Sequence, residues 1–164
     1  MSDVADYDTD ILLWSERQAA LLRELKTRAP GLPNDLDLEN VAEEIESVGR
    51  SQLDAVESFL RLIFLHLIKL AYSPDPALNA KWIDEIIGFH ADLQQRLSPA
   101  MRGRIAGDKV WVRVVRQASA SFRAYGDEPP SGLPLRNPLE VDLFLDEREL
   151  DIEALVTQLR QTAD

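Results

Sequence analysis

Residues 37–69 read DLENVAEEIESVGRSQLDAVESFLRLIFLHLIK and contain no proline, although Pro33 precedes them and Pro74 follows them. Proline interrupts helices, so one helix can occupy the whole interval. At 100° per residue, the apolar side chains lie on one side of this helix and the charged ones on the other. The apolar side comprises Leu38, Val41, Ala42, Ile45, Val48, Leu53, Val56, Phe59, Leu60, Ile63 and Leu67. We predict one long helix over about residues 37–70, continuous through Gly49.

The polar side of this helix ends after Arg61. Within residues 59–70, the side chains that are not apolar are Arg61, His66 and Lys69. A helix that is apolar nearly all round must be covered nearly all round. We therefore expect its first half at the surface and its second half in the core. The run is shorter than the roughly 20 apolar residues that a membrane span needs, so no membrane partner is expected.

The remaining sequence predicts further helices around this central one. Apolar residues with a helical period predict long helices at about 11–28, 79–97 and 109–125, and shorter ones at 99–105, 138–145 and from Asp151 onwards. Residues 126–137 are rich in proline and glycine and are expected to form an extended arm. The predicted fold class is all-α: a helical bundle of four long helices plus two or three short ones. Residues 1–164 are expected to form a single domain that includes the arm.

The same patterns predict helix starts and inner faces. Asp8 is the expected cap of the first helix, and Ser98-Pro99 is the expected start of the short helix at 99–105. The expected inner faces contain Ile11, Trp14, Gln18, Leu21, Leu22 and Leu25 in the first helix, Trp82, Ile86, Phe89, Leu93 and Leu97 in the third, and Trp111, Val114, Val115, Ala118, Phe122 and Tyr125 in the fourth.

Composition limits the class of protein. The chain has 164 residues and no cysteine, which excludes disulfides and thiol chemistry. Its acidic beginning lacks the basic and apolar regions of a secretory signal, so we expect a cytoplasmic protein.

The net charge of −11 is unevenly distributed. Residues 1–46 carry 4 basic and 12 acidic groups, whereas residues 96–126 carry 7 basic groups and 1 acidic group. Such an acidic chain is repelled by nucleic acid at long range, which argues against indiscriminate DNA binding. The positive segment is better suited to the chain's own acidic surfaces or to those of a protein partner.

Two groups of residues carry a family resemblance. The first comprises Tyr7-Asp8-Thr9-Asp10, Trp14 and the run DLENVAEEIESVGRS at residues 37–51. The second comprises Leu65-His66-Leu67-Ile68-Lys69, Tyr72, Pro74, Trp82 and Ser98-Pro99. Together they resemble the bacterial domain of unknown function 29 family, from about Tyr7 to the Asn137-Pro138 turn. The run at residues 37–51 is the most specific part of the match.

The resemblance implies an all-helical cytoplasmic protein of a family that is common in cyanobacteria and proteobacteria and has no established activity. The chain departs from the family at three points. Leu70 stands where the family often has tryptophan, Phe89-His90 stands near a frequent Gln-Arg pair, and a frequent cysteine before the late proline turn is missing. The resemblance therefore supports the fold and supplies no mechanism.

Three sets of residues are candidate sites. An acidic stripe on the long helix, Glu39, Glu43 and Glu46 with Arg50, could hold a metal or a partner, but its direction opposite the core favours a solvated, ion-paired face. His66, Lys69 and His90 could line a small polar pocket, but histidines at the edge of the core with hydrogen-bond partners are the favoured interpretation. Neither histidine has a glutamate three residues before it, as a di-metal helical bundle requires, so no metal is expected.

The third set is a basic stripe, Lys109, Arg113, Arg116 and Arg123, on the fourth long helix. It could bind a phosphate backbone, but the aromatic residues that would stack on bases are expected on the opposite side of the helix. Pairing with the chain's own acidic residues, or plain solvation, is the simpler interpretation.

The sequence assigns no catalytic residue and no cofactor, because it lacks a Gly-rich phosphate loop, a nucleophile elbow and zinc-ligand spacing. The leading interpretation is a non-enzymatic interaction module that docks a protein partner or self-associates. The first alternative is a small-ligand or metal-dependent enzyme with a pocket near His66, Lys69 and His90. The second is a nucleic-acid-linked regulator that uses the basic stripe.

Overall fold

The computed structural model describes residues 6–29 and 31–162, and these residues form helices and no β-strand. The α-helices are α1 (Ile11–Arg28), α2 (Leu38–Tyr72), α3 (Asn79–Arg96), α4 (Gly107–Ala124), α5 (Asp142–Leu145) and α6 (Ile152–Gln161). Short 3-10 helices at Pro76–Leu78 and Pro99–Met101 precede α3 and α4. The predicted all-α class, with four long helices and shorter ones after them, is confirmed.

Helix α2 is the longest helix among the described residues. Its 35 residues run without interruption through Gly49, as the sequence predicts. The Asp37 side chain accepts a hydrogen bond from the backbone N–H of Asn40 at 3.2 Å, so it satisfies one of the free amides at the start of the helix. Within the described residues, no helix is both long and apolar enough to cross a membrane.

Contacts group the described residues into two compact units. The first contains the described part of Met1–Ala55 together with Leu97–Ile105, and the second contains Val56–Arg96 and the described part of Ala106–Asp164. Helix α2 contributes its first half to one unit and its second half to the other. A single domain over residues 1–164 stays a prediction.

In the first unit, α1 and α2 approach closely at Gly49. A Cβ atom at Gly49 would lie 2.1 Å from Ser15 Oγ and 3.1 Å from Leu12 Cα, so only glycine fits there. Helix α1 consequently buries Leu12, Ser15 and Ala19.

The close approach corrects the predicted inner faces in this unit. The buried side chains of α1 lie about 100° around the helix from the predicted face. Four apolar residues that were expected inside are exposed, whereas Ile11, Trp14 and Leu22 are half-buried. The four are Leu21 (56%), Leu25 (41%), Val41 (40%) and Val48 (41%). The spacing of the apolar residues correctly predicts a helix. The small residues Ser15 and Gly49 decide which side of α1 packs against α2.

The start of α1 also differs from the prediction. Asp10 is its cap, with Oδ1 accepting the backbone N–H of Leu13 at 3.1 Å, and Asp8 is exposed. The buried Asp10 carboxylate also accepts the Ser98 hydroxyl at 2.9 Å and the Ala100 N–H at 2.8 Å. Ser98 therefore binds Asp10 and makes no side-chain cap, and the helix expected at 99–105 is only the 3-10 turn Pro99–Met101.

The second unit has its core around the second half of α2, as predicted. Fully buried residues include Leu60, Ile63, Phe64, Leu67 and Ile68. The Phe64 ring contacts Trp111 edge-on at a centroid distance of 6.0 Å and Phe144 at 5.1 Å. These contacts join α2, α4 and α5 in one aromatic cluster.

The Pro/Gly-rich residues 126–137 form no regular helix or strand and are tied to α4. The Trp111 indole N–H donates to the Pro134 carbonyl at 2.8 Å, and the Asn137 N–H donates to Asp108 Oδ1 at 3.0 Å. Gly107 is buried at the start of α4, where a Cβ atom would lie 2.5 Å from Val141 Cγ2. Glycine therefore provides close packing there.

Candidate functional site

A cleft of about 570 Å³ lies in the second unit beside the C-terminal half of α2. We call it the Lys69 cleft. Its walls come from α2, α3, the end of α4 and the connecting segments, and its lining residues are His66, Lys69, Ser73, Pro74, Asp75, Leu78, Lys81, Trp82, Glu85, Ser121, Phe122, Tyr125 and Asp127. The structure thus brings together two of the three residues proposed for a pocket from the sequence.

His66 lies in the wall of the cleft and both of its ring nitrogens face oxygen atoms. Nδ1 lies 2.7 Å from the Leu62 carbonyl one helical turn earlier, and Nε2 lies 2.8 Å from Glu85 Oε2 on α3. Neither a carbonyl nor a carboxylate oxygen can donate, so each contact needs a ring N–H as its donor. A buried histidine and a half-exposed carboxylate therefore form a hydrogen-bonded pair at the surface of the cleft.

Lys69 lies one turn after His66 on the same side of α2. Its ammonium lies 5.9 Å from the centroid of the Trp82 ring. Within residues 6–29 and 31–162 it has no hydrogen-bond or ion-pair partner. Burial lowers the pKa of Lys69 below its ordinary value, and the nearby charge of Glu85 only partly opposes this effect.

Three other polar residues of the cleft have a contact or are exposed. Lys81 is mostly exposed and lies 3.9 Å from Glu85 Oε1. Asp75 caps the 3-10 turn by accepting the Ala77 N–H at 2.9 Å. Tyr125, which was expected to face inward, is 78% exposed and lines the cleft, because α4 ends at Ala124 and the residues after it leave the helical direction.

His90 lies elsewhere in the second unit and does not belong to the cleft lining. Its Nε2 donates to the Phe144 carbonyl at 3.1 Å. The Gln94 amide donates to the same carbonyl at 2.8 Å and to the Asp146 carbonyl at 2.9 Å. Burial lowers the pKa of His90, and the bond to Phe144 partly offsets that. His90 therefore holds the end of α5 by a hydrogen bond to the Phe144 carbonyl.

The acidic stripe of α2 has a partner that the sequence did not reveal. In the first unit, Arg23 of α1 donates to Glu39 Oε1 at 3.2 Å and to Glu46 Oε2 at 2.9 Å. The same Glu46 oxygen lies 3.5 Å from Arg50, and the Arg23 hydrogen bond lowers the pKa of Glu46. The ion pairing expected of this face is therefore present, and Arg23 of α1 is an additional partner from another helix. Glu43 is exposed.

The basic stripe Lys109, Arg113, Arg116 and Arg123 is exposed along α4. In the part of the chain that the structure describes, none of the four has an ion-pair partner, so the described acidic residues do not neutralise them. Over the same residues, no three histidine, aspartate or glutamate side chains form a group that could hold a metal ion.

Glu85 and Lys81 are cleft residues that sequence reasoning missed. They are four residues apart on α3, and Glu85 is one turn after the inward-facing Trp82. The position of Glu85 at the edge of an apolar face was the sequence feature that could have indicated it, because a side chain there can reach a neighbouring helix. The Glu-x-x-His motif describes two residues on one helix, so it does not reveal a partner on another helix.

Comparisons with known proteins concern the whole chain. Residues 7–160 match the family model described as Domain of unknown function DUF29. The crystal structure of an alpha-helical protein of unknown function from Rhodospirillum rubrum is similar, with a TM-score of 0.86 and 37% sequence identity over 94% of this chain and 98% of that chain. Comparison with the curated proteins gives no match. Because the family match extends over nearly all residues, the chain belongs to the DUF29 family.

Proposed function

We propose that this protein binds a small organic molecule in the Lys69 cleft. The observation that carries the proposal is the Lys69 ammonium, which is partly buried at the cleft wall and lacks a hydrogen-bond or ion-pair partner within the described residues. Burying a charge without such a partner is costly, and a group in this state in a cleft is a candidate for binding a ligand that supplies an acceptor.

The size and the walls of the cleft support this proposal. Ligand sites commonly have volumes of about 300–1,000 Å³ and combine apolar walls with a few polar groups, and the Lys69 cleft has a volume of about 570 Å³. Trp82 is largely buried and offers a flat apolar surface next to the Lys69 ammonium. A ligand with a planar apolar part and one oxygen-bearing end fits these two features.

The Lys69 ammonium favours an oxygen acceptor on the ligand. Glu85 is already engaged by His66 and lies near Lys81, Asp75 is engaged by a backbone amide, and Asp127 is a further carboxylate of the lining. Lys69 is a donor with unused capacity, and it can donate to a carboxylate or a carbonyl oxygen. We therefore expect small carboxylates, aldehydes or ketones as ligands.

A thermal-shift screen of such compounds tests the proposal. Binding to the folded state raises stability by RT ln(1 + [L]/Kd), which is about 1.4 kcal/mol at a ligand concentration of ten times Kd. We expect a saturable rise in Tm for at least one compound with the wild type and little or none with Lys69→Met. Lys109→Met is the matched control, because Lys109 is exposed on α4 and outside the cleft.

Two results of this screen would contradict the proposal. One is that no carboxylate, aldehyde or ketone shifts the wild type. The other is that Lys69→Met and Lys109→Met respond to the same compounds with the same affinity as the wild type.

Self-association is a second candidate function, and the exposed apolar side chains of the first unit favour it. Val41 and Val48 are exposed seven residues apart on α2, and Leu21 and Leu25 are exposed on α1. Each of these two pairs lies on one face of its helix, and contiguous apolar exposure is typical of interaction surfaces. If a second copy covers this surface, light scattering should give a dimer mass for the wild type and a monomer mass for Val48→Glu. A monomeric wild type at high concentration would count against it.

A further inference from the structure

The Lys69 cleft contains the parts that a carbonyl-reactive amine needs. A lysine attacks a carbonyl carbon only as the neutral amine, and burial together with a neighbouring cation favours that form. Burial has the largest effect on Lys69 and lowers its pKa. Lys81 in the same cleft also lowers this pKa, but Glu85 raises it by more than Lys81 lowers it, so burial accounts for the net decrease.

Proton transfer is available in the same cleft. The His66–Glu85 pair joins an imidazole nitrogen to a carboxylate oxygen at 2.8 Å, and both residues line the cleft with Lys69. His66 is three residues before Lys69, so both side chains project from the same side of α2. Glu85 Oε2 is held by His66, whereas Glu85 Oε1 lies 3.9 Å from Lys81 Nζ, so Oε1 is the atom of the pair that can take up and return a proton during a condensation.

We propose that Lys69 forms an imine with the carbonyl carbon of a small aldehyde or ketone bound in the cleft. The amine nitrogen adds to the carbonyl carbon to give a carbinolamine, which then loses its hydroxyl group as water. A C–N double bond replaces the C–O double bond, the nitrogen loses its two protons overall, and nothing is oxidised or reduced. This inference rests on the proposed ligand-binding function and narrows its ligands to carbonyl compounds.

The other titratable groups around Lys69 come from each element that forms the cleft. They are His66 on α2, Asp75 in the following turn, Lys81 and Glu85 on α3, and Tyr125 and Asp127 after α4. Trp82 contributes a flat wall 5.9 Å from the Lys69 nitrogen, against which a planar carbonyl compound can pack. The geometry therefore provides the nucleophile, the proton carrier and the binding surface together.

Reductive trapping tests the inference on the full chain. The wild type is incubated at pH 7 with benzaldehyde or pyruvate and sodium cyanoborohydride, which converts an imine into a stable secondary amine. Peptide mapping then compares the four lysines, Lys26, Lys69, Lys81 and Lys109. We expect Lys69 to gain the probe, less one oxygen atom, several-fold faster than each of the other three lysines.

The variant Lys69→Arg keeps a cation in the cleft but cannot form an imine, and we expect it to lose the fast-labelling site alone. Equal labelling of all four wild-type lysines, or no labelling at Lys69, would overturn the proposal that Lys69 forms an imine. Thermal shifts with the same probes and no reductant distinguish the two levels of the proposal. A thermal shift that depends on Lys69, without selective trapping, supports ligand binding and rejects the imine. If no compound gives either a thermal shift or trapping, both proposals are rejected.

Discussion

His66 on α2 and Glu85 on α3 meet through a contact of 2.8 Å between Nε2 and Oε2. Because His66 Nδ1 is held by the Leu62 carbonyl, the ring cannot turn toward another acceptor without losing that bond. The pair therefore fixes one wall of the Lys69 cleft and joins two helices of the second unit.

Glu85→Gln tests the contribution of this pair. The amide keeps the shape of the carboxylate but removes its charge, so the largely buried His66 ring loses a charged hydrogen-bond partner. We expect the free energy of unfolding to fall by about 1–1.5 kcal/mol, the difference between a hydrogen bond to a charged group and one to a neutral group. Urea denaturation measures this loss. Glu44→Gln, at an exposed position of α2, should change stability by less than about 0.5 kcal/mol. Equal effects of the two substitutions would argue against the pair.

Asp10→Ala tests the carboxylate that caps α1. It removes the acceptor of the Leu13 N–H, the Ser98 hydroxyl and the Ala100 N–H at once. A lost cap costs about 0.5–2 kcal/mol and each buried donor left unsatisfied costs about 1–3 kcal/mol, so we expect a loss of at least about 2 kcal/mol. Asp8→Ala is the control, because Asp8 is exposed. If calorimetry finds both variants equally stable, the cap has been assigned wrongly.

Gly49→Ala tests the close approach of α1 and α2. Alanine is intrinsically better than glycine inside a helix, but here its methyl group would overlap Ser15 Oγ and press on the Leu12 backbone. We expect a net loss of about 1–3 kcal/mol from overpacking. Gly88→Ala in α3 is the matched control, since nothing lies within 4 Å of its Cβ position. It should stabilise the protein by about 0.5–1 kcal/mol. Stabilisation by both substitutions would show that the helices are not in contact at Gly49.

His90→Gln tests the pH dependence that follows from the lowered pKa of His90. A histidine whose pKa is lower in the folded state stabilises the fold above its ordinary value of about 6.5, and this contribution disappears as the pH falls through the folded-state pKa. Glutamine can still donate to the Phe144 carbonyl but does not titrate. Urea unfolding at pH 7 and pH 5 should therefore show a larger loss of stability for the wild type. An identical loss of stability in both proteins would contradict a lowered pKa of His90 in the folded state.

The fold was largely predictable because it depends on helical periodicity. The absence of proline between Pro33 and Pro74 and the apolar run after Arg61 predicted α2 and its buried second half, and the structure has both. The prediction of which side of α1 faces α2 was wrong. That orientation depends on the small residues Ser15 and Gly49, which allow close helix contact but do not appear in a pattern of apolar residues.

The candidate site was predictable only within one helix. His66 and Lys69 are three residues apart on α2, so their common side follows from helix geometry. Glu85 and Trp82 reach them from α3, and no pattern along one helix reveals how two helices are aligned. His90 was grouped with them because it lies on an inner face, but that face of α3 is wide and His90 contacts α5.

The most direct test of the Lys69 cleft is a crystallographic screen with small carboxylates, aldehydes and ketones. We predict electron density for at least one compound in the cleft, with its oxygen within hydrogen-bond distance of Lys69 Nζ and its planar part against Trp82. Compounds bound only at other surfaces, with the cleft holding nothing but solvent, would contradict the proposed function.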